Sequence, residues 1–300
     1  MQILTLITAL PGAVAQGLIW GIMAIGVYIT FRILDIADLT VDGTMCTGGA
    51  VCIMMMLSGH NVWISMLAAT LAGMLAGLAT GIFHTFMGIP AILAGILTQL
   101  SLYSVNLKIM GKANQAINVD KFNLLVSLRR VKGVALTQNT LFIVAIMIII
   151  LIAVLYWFFG TELGCSLRAT GCNPSMSRAQ GINTDRNKVL GLMLSNGLVA
   201  LSGALLTQYQ GFADINMGRG SIVIGLAAVI IGEAIFSRIF RNFALKLLSV
   251  VFGSILYYLV LQIVIWMGID TDLLKMLSAI VVALLSLIHI SEPTRLDVIS

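Results

Sequence analysis

Two closely similar acidic stretches interrupt a strongly apolar chain of 300 residues. The first, DIADLTVDGT (35–44), contains Asp38 and Asp42, and the second, GFADINMGRG (211–220), contains Asp214. An ionisable side chain at membrane depth is costly and usually serves a function. We therefore expect these carboxylates either to contact a solute along a pathway or to bond the free backbone groups of helices that break inside the membrane.

The two roles apply differently to the three aspartates. Asp42 directly precedes GTMCTGGAV, so capping of that helix is the favoured interpretation, because a carboxylate there bonds free N–H groups and suits the helix dipole. For Asp38 and Asp214 both roles stay open, although their matching positions favour a structural one.

A second polar group occurs on one predicted helix. Gln99, Tyr103 and Asn106 are separated by four and three positions, so they share a helix face. This stripe either lines the pathway or makes hydrogen bonds to a neighbouring helix, and the sequence does not decide between the two.

The composition indicates the class of protein that contains these residues. Hydrophobic residues make up 59% of the chain and charged residues only 10%, which is typical of an all-α polytopic membrane protein. The net charge of +5 comes from Lys and Arg in loops beside membrane spans, so we expect no nucleic-acid partner. The four cysteines lack the spacing of metal ligands.

The apolar runs predict about eight to ten transmembrane segments. Two of the runs, 43–58 and 221–236, are short, and each follows one of the acidic breaks. Short, glycine-interrupted segments in matching positions are typical of broken helices in transporters built from repeats. The longer runs are 12–34, 62–83, 88–107, 139–160, 187–210, 247–268 and 272–288.

The two acidic breaks predict an inverted repeat. An odd number of segments separates them, so the two copies, about 12–107 and about 187–284, cross the membrane in opposite directions. Basic residues place the 161–188 and 237–246 loops in the cytoplasm. Counting spans then places the 108–138 loop outside, although it too is basic.

The 161–188 loop contains two short polar helices separated by glycines. Asn173 before Pro174 suits the start of the second helix, and Gly181 suits its end. We expect this segment to dock a soluble partner and to transmit its movement to the adjoining spans. The candidate coupling residues are Gly164, Arg168, Gly171, Asn173, Arg178 and Gly181.

The pattern T-x-L-G-x-x-L-R-A-T-G-x-N-P-x-M-x-R-x-x-G-I-N, from Thr161 to Asn183, resembles the cytoplasmic coupling loop of bacterial ABC importer permeases. The match is to the group that includes branched-chain amino acid and ribose permeases. ADLTVDGT, MGIPAILAGILTQLSLYSVNLKIMGKAN and SGALLTQYQGFADINMGRG are similar to its tryptophan/tyrosine-type subgroup. The resemblance covers roughly residues 10–284, within a permease domain that we place at 1–288.

The resemblance implies the rest of a transport machine in the bacterial inner membrane. A dimer of cytoplasmic ABC ATPases would bind the coupling loops, and an extracytoplasmic solute-binding protein would deliver an amino acid or a related small polar solute. A second permease subunit, expected to be a copy of this chain, and membrane lipid complete the partners. The sequence has no G-x-x-x-x-G-K-[ST] phosphate loop, so we expect no enzyme activity and no bound cofactor, with ATP hydrolysed by the partner.

An ion-coupled secondary transporter is the alternative function. In that case Asp38, Asp42 and Asp214 would be membrane-embedded sites for protons or cations.

The last residues depart from the pattern of the chain. LSLIHISEPTR resembles the translation of a sequencing-library adapter, so we expect 285–300 to be a non-native tail.

Overall fold

The computed structural model describes residues 2–119, 122, 124–131, 139–236, 240 and 242–268, and isolated positions between 273 and 283. The predicted 285–300 tail lies outside these residues, as does most of the predicted 272–288 span.

The described residues fold into α-helices, one pair of short strands and a short 3₁₀-helix, Leu128–Arg130. A single π-helical turn, Ile29–Ile33, continues α1. The elements are α1 Gln2–Tyr28, α2 Val41–Leu57, α3 Val62–Thr85, α4 Ala91–Met110, β1 Asn114–Ala116, α5 Thr140–Gly160, α6 Glu162–Cys172, α7 Pro174–Ala179, α8 Thr184–Gln210, β2 Phe212–Asp214, α9 Ser221–Phe236 and α10 Phe243–Trp266.

Within the described residues, six helices are long and apolar enough to cross a membrane: α1, α3, α4, α5, α8 and α10. The apolar helices α2 and α9 are shorter, at 17 and 16 residues. The predicted class, a multi-pass helical protein with short helices after the acidic breaks, is confirmed. Boundaries shift by a few residues; α8 begins at Thr184 and not at 187, because the Asn183 side chain accepts a hydrogen bond from the backbone N–H of Arg186.

The helix ends collect at two opposite ends of the bundle. At one end, which we call the coupling end, α6 and α7 pack beside the start of α8, and the Asn187 amide donates to Thr170 at 2.9 Å. At the other, the far end, β1 pairs antiparallel with β2, which follows the end of α8. The described part of the 108–138 loop therefore lies opposite the 161–188 loop, as the count of spans predicts.

The two short helices start near the same point and run in opposite directions. From its first turn, α2 follows α8 towards the far end, where Cys52 meets Gln208. From Ser221, α9 runs towards the coupling end, where Glu233 pairs with Arg32 at 2.9 Å. Opposite directions are what the inverted-repeat prediction requires of two equivalent half-helices.

Helix α2 fits against α8 through glycines. A Cβ at Gly48 would overlap the carbonyl of Ala200, and one at Gly203 would overlap the carbonyl of Met45. Small residues let helix backbones approach closely, which is the usual source of packing energy between helices in lipid. The central α2 is consequently almost fully buried.

Candidate functional site

The carboxylate of Asp42 joins the two short helices. It accepts hydrogen bonds from the backbone N–H groups of Gly220 and Ile222, at 2.9 and 3.0 Å, and from the Ser221 hydroxyl at 2.9 Å. These groups form the first turn of α9. Asp42 is thus a cap, but the prediction named the wrong helix, because the carboxylate caps α9 and not its own helix α2.

Asp38 is 2% exposed and lies where the chain turns into α2. One carboxylate oxygen accepts from the backbone N–H of Thr40 at 2.9 Å, and the other from the side-chain amide of Asn196 at 2.7 Å. The Asn196 carbonyl in turn accepts from the Thr44 hydroxyl at 2.7 Å. Asp38 therefore fixes the first break to the middle of α8.

A chain of buried hydroxyls extends this network sideways. Thr40 and Thr80 share a hydrogen bond of 2.7 Å, and Thr80 donates to Thr98 at 2.9 Å. These residues belong to the turn before α2, to α3 and to α4. These hydroxyls tie the start of α2 to α3 and α4, and Asn196 ties it to α8. Such bonds satisfy backbone and side-chain groups that would be costly to leave free in lipid.

Asp214 makes the same local contact as Asp38. Its carboxylate accepts from the backbone N–H two residues later, that of Asn216, at 2.7 Å. Asp214 is only half-buried, and it also accepts from Asn114 at 3.3 Å. The two Ala-Asp turns therefore share a local geometry, with the second opening towards the far end.

The predicted polar stripe on α4 is divided between burial and exposure. Asn106 is 1% exposed, and its amide donates to the carbonyl of Gly43 at 3.3 Å. Gln99 is half-buried, and its backbone lies against Gly43. Tyr103 is 44% exposed. Asn106 is thus a helix–helix contact, whereas Tyr103 remains open at the surface of the protomer.

Arg219 is a residue of the site that the sequence analysis did not single out. It stands in the second break between Gly218 and Gly220, both of which contact Asp42, and its side chain is exposed. A basic residue inside a predicted broken helix was the available signal, because charge at membrane depth is rare.

At the coupling end, glycines press α6 onto the membrane domain. A Cβ at Gly171 would overlap the carbonyl of Ile33, at the end of the π-helical turn. A Cβ at Gly164 would overlap the backbone of Phe158 and Phe159 at the end of α5. Helix α6 therefore touches the segment that leads directly to Asp38.

Arg168 holds α6 in this position. Its guanidinium donates to the carbonyl of Phe159 at 3.0 Å and lies 5.8 Å from the centre of the Phe243 ring. The side chain is half-buried, and its buried Nε has no hydrogen-bond partner among the described residues. These contacts make Arg168 a positioning residue between α5, α6 and α10.

The short helix α7 is shaped by the other three candidates. The Asn173 side chain caps it by accepting from the backbone N–H of Met176 at 3.0 Å, and Gly181 follows it with φ +79°. Arg178 donates to the Thr184 hydroxyl at 3.0 Å and so attaches α7 to α8. Met176 is 61% exposed, so α7 presents a free surface at the coupling end.

A cavity of about 520 Å³ separates this surface from the first break. Its walls come from the break, from the start of α4 and from the end of α6 with the start of α7. They include Asp35, Ala37, Pro90, Cys172 and Pro174. A side chain inserted here would touch both the coupling segment and the break.

The described residues contain no group of three or more His, Cys, Asp or Glu side chains that could hold a metal ion. The oxygens of Asp38 and Asp42 are engaged by described donors, so neither carboxylate is preorganised as a cation ligand.

Comparisons with known proteins agree on one family. Residues 10–286 match the family described as "Branched-chain amino acid transport system / permease component". The tyrosine transport system permease protein of Clostridioides difficile is 38% identical over 267 residues, covering 89% of this chain and 86% of that protein. The fructose import permease protein FruF of Bifidobacterium longum is 25% identical, covering 82% and 67%.

A solved structure has a similar fold. PsaBC from Streptococcus pneumoniae, in complex with Fab, superposes with a TM-score of 0.53 over 95% of this chain and 94% of that one, at 18% identity.

Proposed function

Because the chain belongs to the branched-chain amino acid transport system permease family, we propose that it is the subunit through which an ATP-driven importer carries an amino acid or a related small polar solute. It is a multi-pass inner-membrane protein of the ABC permease type. Permeases of this kind work with a separate ATPase and a solute-binding protein.

Contacts at the coupling end support a route from the ATPase to the centre of the bundle. The exposed helix α7 is joined to α6, and α6 bears on Ile33 through Gly171. Five residues after Ile33 comes Asp38, which is bonded to Asn196 in α8. The observation that carries the proposal is this continuous contact between an exposed helix and the first break.

The cargo class rests on the relatives and on the polar groups near mid-depth. The tyrosine permease of Clostridioides difficile is similar over most of both chains, whereas the fructose permease is less similar. Gln99, whose backbone lies against Gly43, and Arg219, between two glycines that contact Asp42, supply partly exposed polar groups around the first turn of α2. Such groups suit a solute with polar and charged ends.

Docking is tested by substitution on α7. Met176→Glu places a charge on the exposed surface, and we expect the ATPase to stop co-purifying with the permease. Leu128→Glu is the control, because Leu128 is 59% exposed at the far end and should leave binding unchanged. Retention of the ATPase by Met176→Glu, and by a variant lacking 173–181, would contradict the coupling role.

Transport is tested with purified components in liposomes. We expect L-tyrosine uptake to require ATP, the ATPase and the binding protein together. Uptake by the permease alone, driven by a sodium or proton gradient, would instead support the ion-coupled alternative.

A further inference from the structure

Near the junction of the short helices, the charged side chain of Arg219 has no partner in the part of the chain that the structure describes. The carboxylates of Asp38 and Asp42 each accept at least two hydrogen bonds. The guanidinium of Arg219 has no ion-pair or hydrogen-bond partner among the described residues. Its charge is therefore available to a group outside the described residues.

Contacts place Arg219 close to mid-depth. A Cβ at Gly218 would overlap the Asp42 carbonyl, and the Gly220 N–H bonds the Asp42 carboxylate at 2.9 Å. Two residues after Asp42, Thr44 bonds Asn196, which lies close to the midpoint of α8, Thr184–Gln210. An exposed guanidinium at this depth cannot rest in lipid without a large cost, so it must face water or an anionic group.

We propose that Arg219 faces the aqueous solute pathway and binds the carboxylate of the transported amino acid. The inference rests on the proposed importer function and names the chemical group that its pathway recognises. A guanidinium presents a planar fork of N–H donors that matches a carboxylate in two parallel hydrogen bonds.

The surroundings of Arg219 prepare it for this role. Its backbone is held on both sides by Asp42, so the point from which the side chain extends is fixed. The oxygens of the Asp42 carboxylate accept from the first turn of α9, and among the described residues Arg219 forms no ion pair. A preorganised, unneutralised cation is what the binding of an anionic group requires.

Uptake by the assembled transporter tests the proposal. With ATPase and binding protein in liposomes, Arg219→Gln should lower ATP-driven L-tyrosine uptake by about tenfold or more, the value of a lost charge-assisted hydrogen bond. Arg219→Lys keeps the charge and should retain part of the uptake. Lys112→Gln removes an exposed positive charge at the far end and should have no effect.

Accessibility supplies a second readout that does not depend on turnover. Arg219→Cys, in a background with Cys165→Ser and Cys172→Ser, should react with a membrane-impermeant thiol reagent in the assembled transporter. L-tyrosine should slow that reaction. The remaining native cysteines, Cys46 and Cys52, are buried and should not contribute.

The outcomes separate this inference from the function on which it rests. Normal L-tyrosine uptake by Arg219→Gln overturns the inference and leaves the importer function intact. So does an Arg219→Cys thiol that never reacts, or an Arg219→Gln permease that no longer pairs with its second subunit, because then Arg219 meets lipid or a partner's acidic group. A wild-type transporter that imports D-fructose and no amino acid overturns the cargo and the Arg219 assignment together.

Discussion

The carboxylate of Asp42 bonds the start of a helix nearly 180 residues away along the chain. A carboxylate at a helix N-terminus satisfies free N–H groups and interacts favourably with the helix dipole. Here the same side chain also holds the two breaks together, because Asp42 belongs to the first turn of α2 and its carboxylate caps α9. Its removal should therefore affect the whole junction and not one turn.

Asp42→Asn keeps the shape of this side chain and removes its charge. The amide NH₂ would face N–H and O–H donors from which the carboxylate accepted hydrogen bonds. We therefore expect the free energy of unfolding to fall by about 1–3 kcal/mol. The loss should appear as a lower thermal midpoint in detergent. Asp185→Asn is the control, since Asp185 is exposed at the start of α8; an equal loss in both variants would show that the α9 cap contributes little.

Sequence reasoning identified the three aspartates but not all of their partners. A local bond such as that from Asp214 to the N–H of Asn216 can be anticipated, because the donor is two residues away. The Asp42 cap of α9 could not, because it depends on where two distant segments meet. Arg219 is visible in the sequence as a charge inside a predicted break, but its lack of a described partner depends on the fold.

The packing of α2 against α8 depends on close contact between their backbones. Helices α2 and α8 approach closely where Gly48 lies against Ala200. A methyl group has no space there, and forcing it in requires a shift of the backbone.

Gly48→Ala should lower the free energy of unfolding by about 1–3 kcal/mol, the usual cost of overpacking. Gly160→Ala is the matched control, because a Cβ at Gly160 meets nothing within 4 Å at the end of α5. Thermal unfolding of both variants in detergent would compare them. A neutral Gly48→Ala would mean that the two helices separate easily.

Arg168 joins three helices, because it lies in α6 and contacts α5 and α10. Arg168→Gln removes the contacts with the Phe159 carbonyl and the Phe243 ring, so α6 should loosen while the α7 surface stays intact. We expect the ATPase to bind normally, with uptake per ATP reduced roughly tenfold. The control is Arg186→Gln, an exposed residue of the same loop. Loss of ATPase binding in Arg168→Gln would return Arg168 to the docking surface.

The short helices at the coupling end could be predicted because the residues that mark helix ends lie next to them in the sequence. Asn173 before Pro174 and Gly181 after Ala179 mark the two ends of α7. The sequence did not reveal that Arg168 turns inward, because a residue's partner across three helices leaves no local pattern. It also could not distinguish the exposed α7 from the anchored α6.

At the scale of the whole molecule, the opposite directions of α2 and α9 followed from counting spans. The count also placed the basic 108–138 loop opposite the basic 161–188 loop, even though their charge alone would have placed both on one side. The Arg130 guanidinium explains part of the far-end charge, since it donates to the Leu124 carbonyl at 2.8 Å and so stabilises the loop itself. Arg130 therefore has a structural role within the loop.

The antiparallel pair of β1 and β2 links the loop after α4 to the chain that descends to Arg219. Asn114 faces Asp214 in this pair, and only a few residues separate Asp214 from the first turn of α9. A protein that pulled on this far-end loop would therefore also pull on the segment between β2 and α9. Delivery of cargo at the far end and a displacement of the start of α9 would then be linked mechanically.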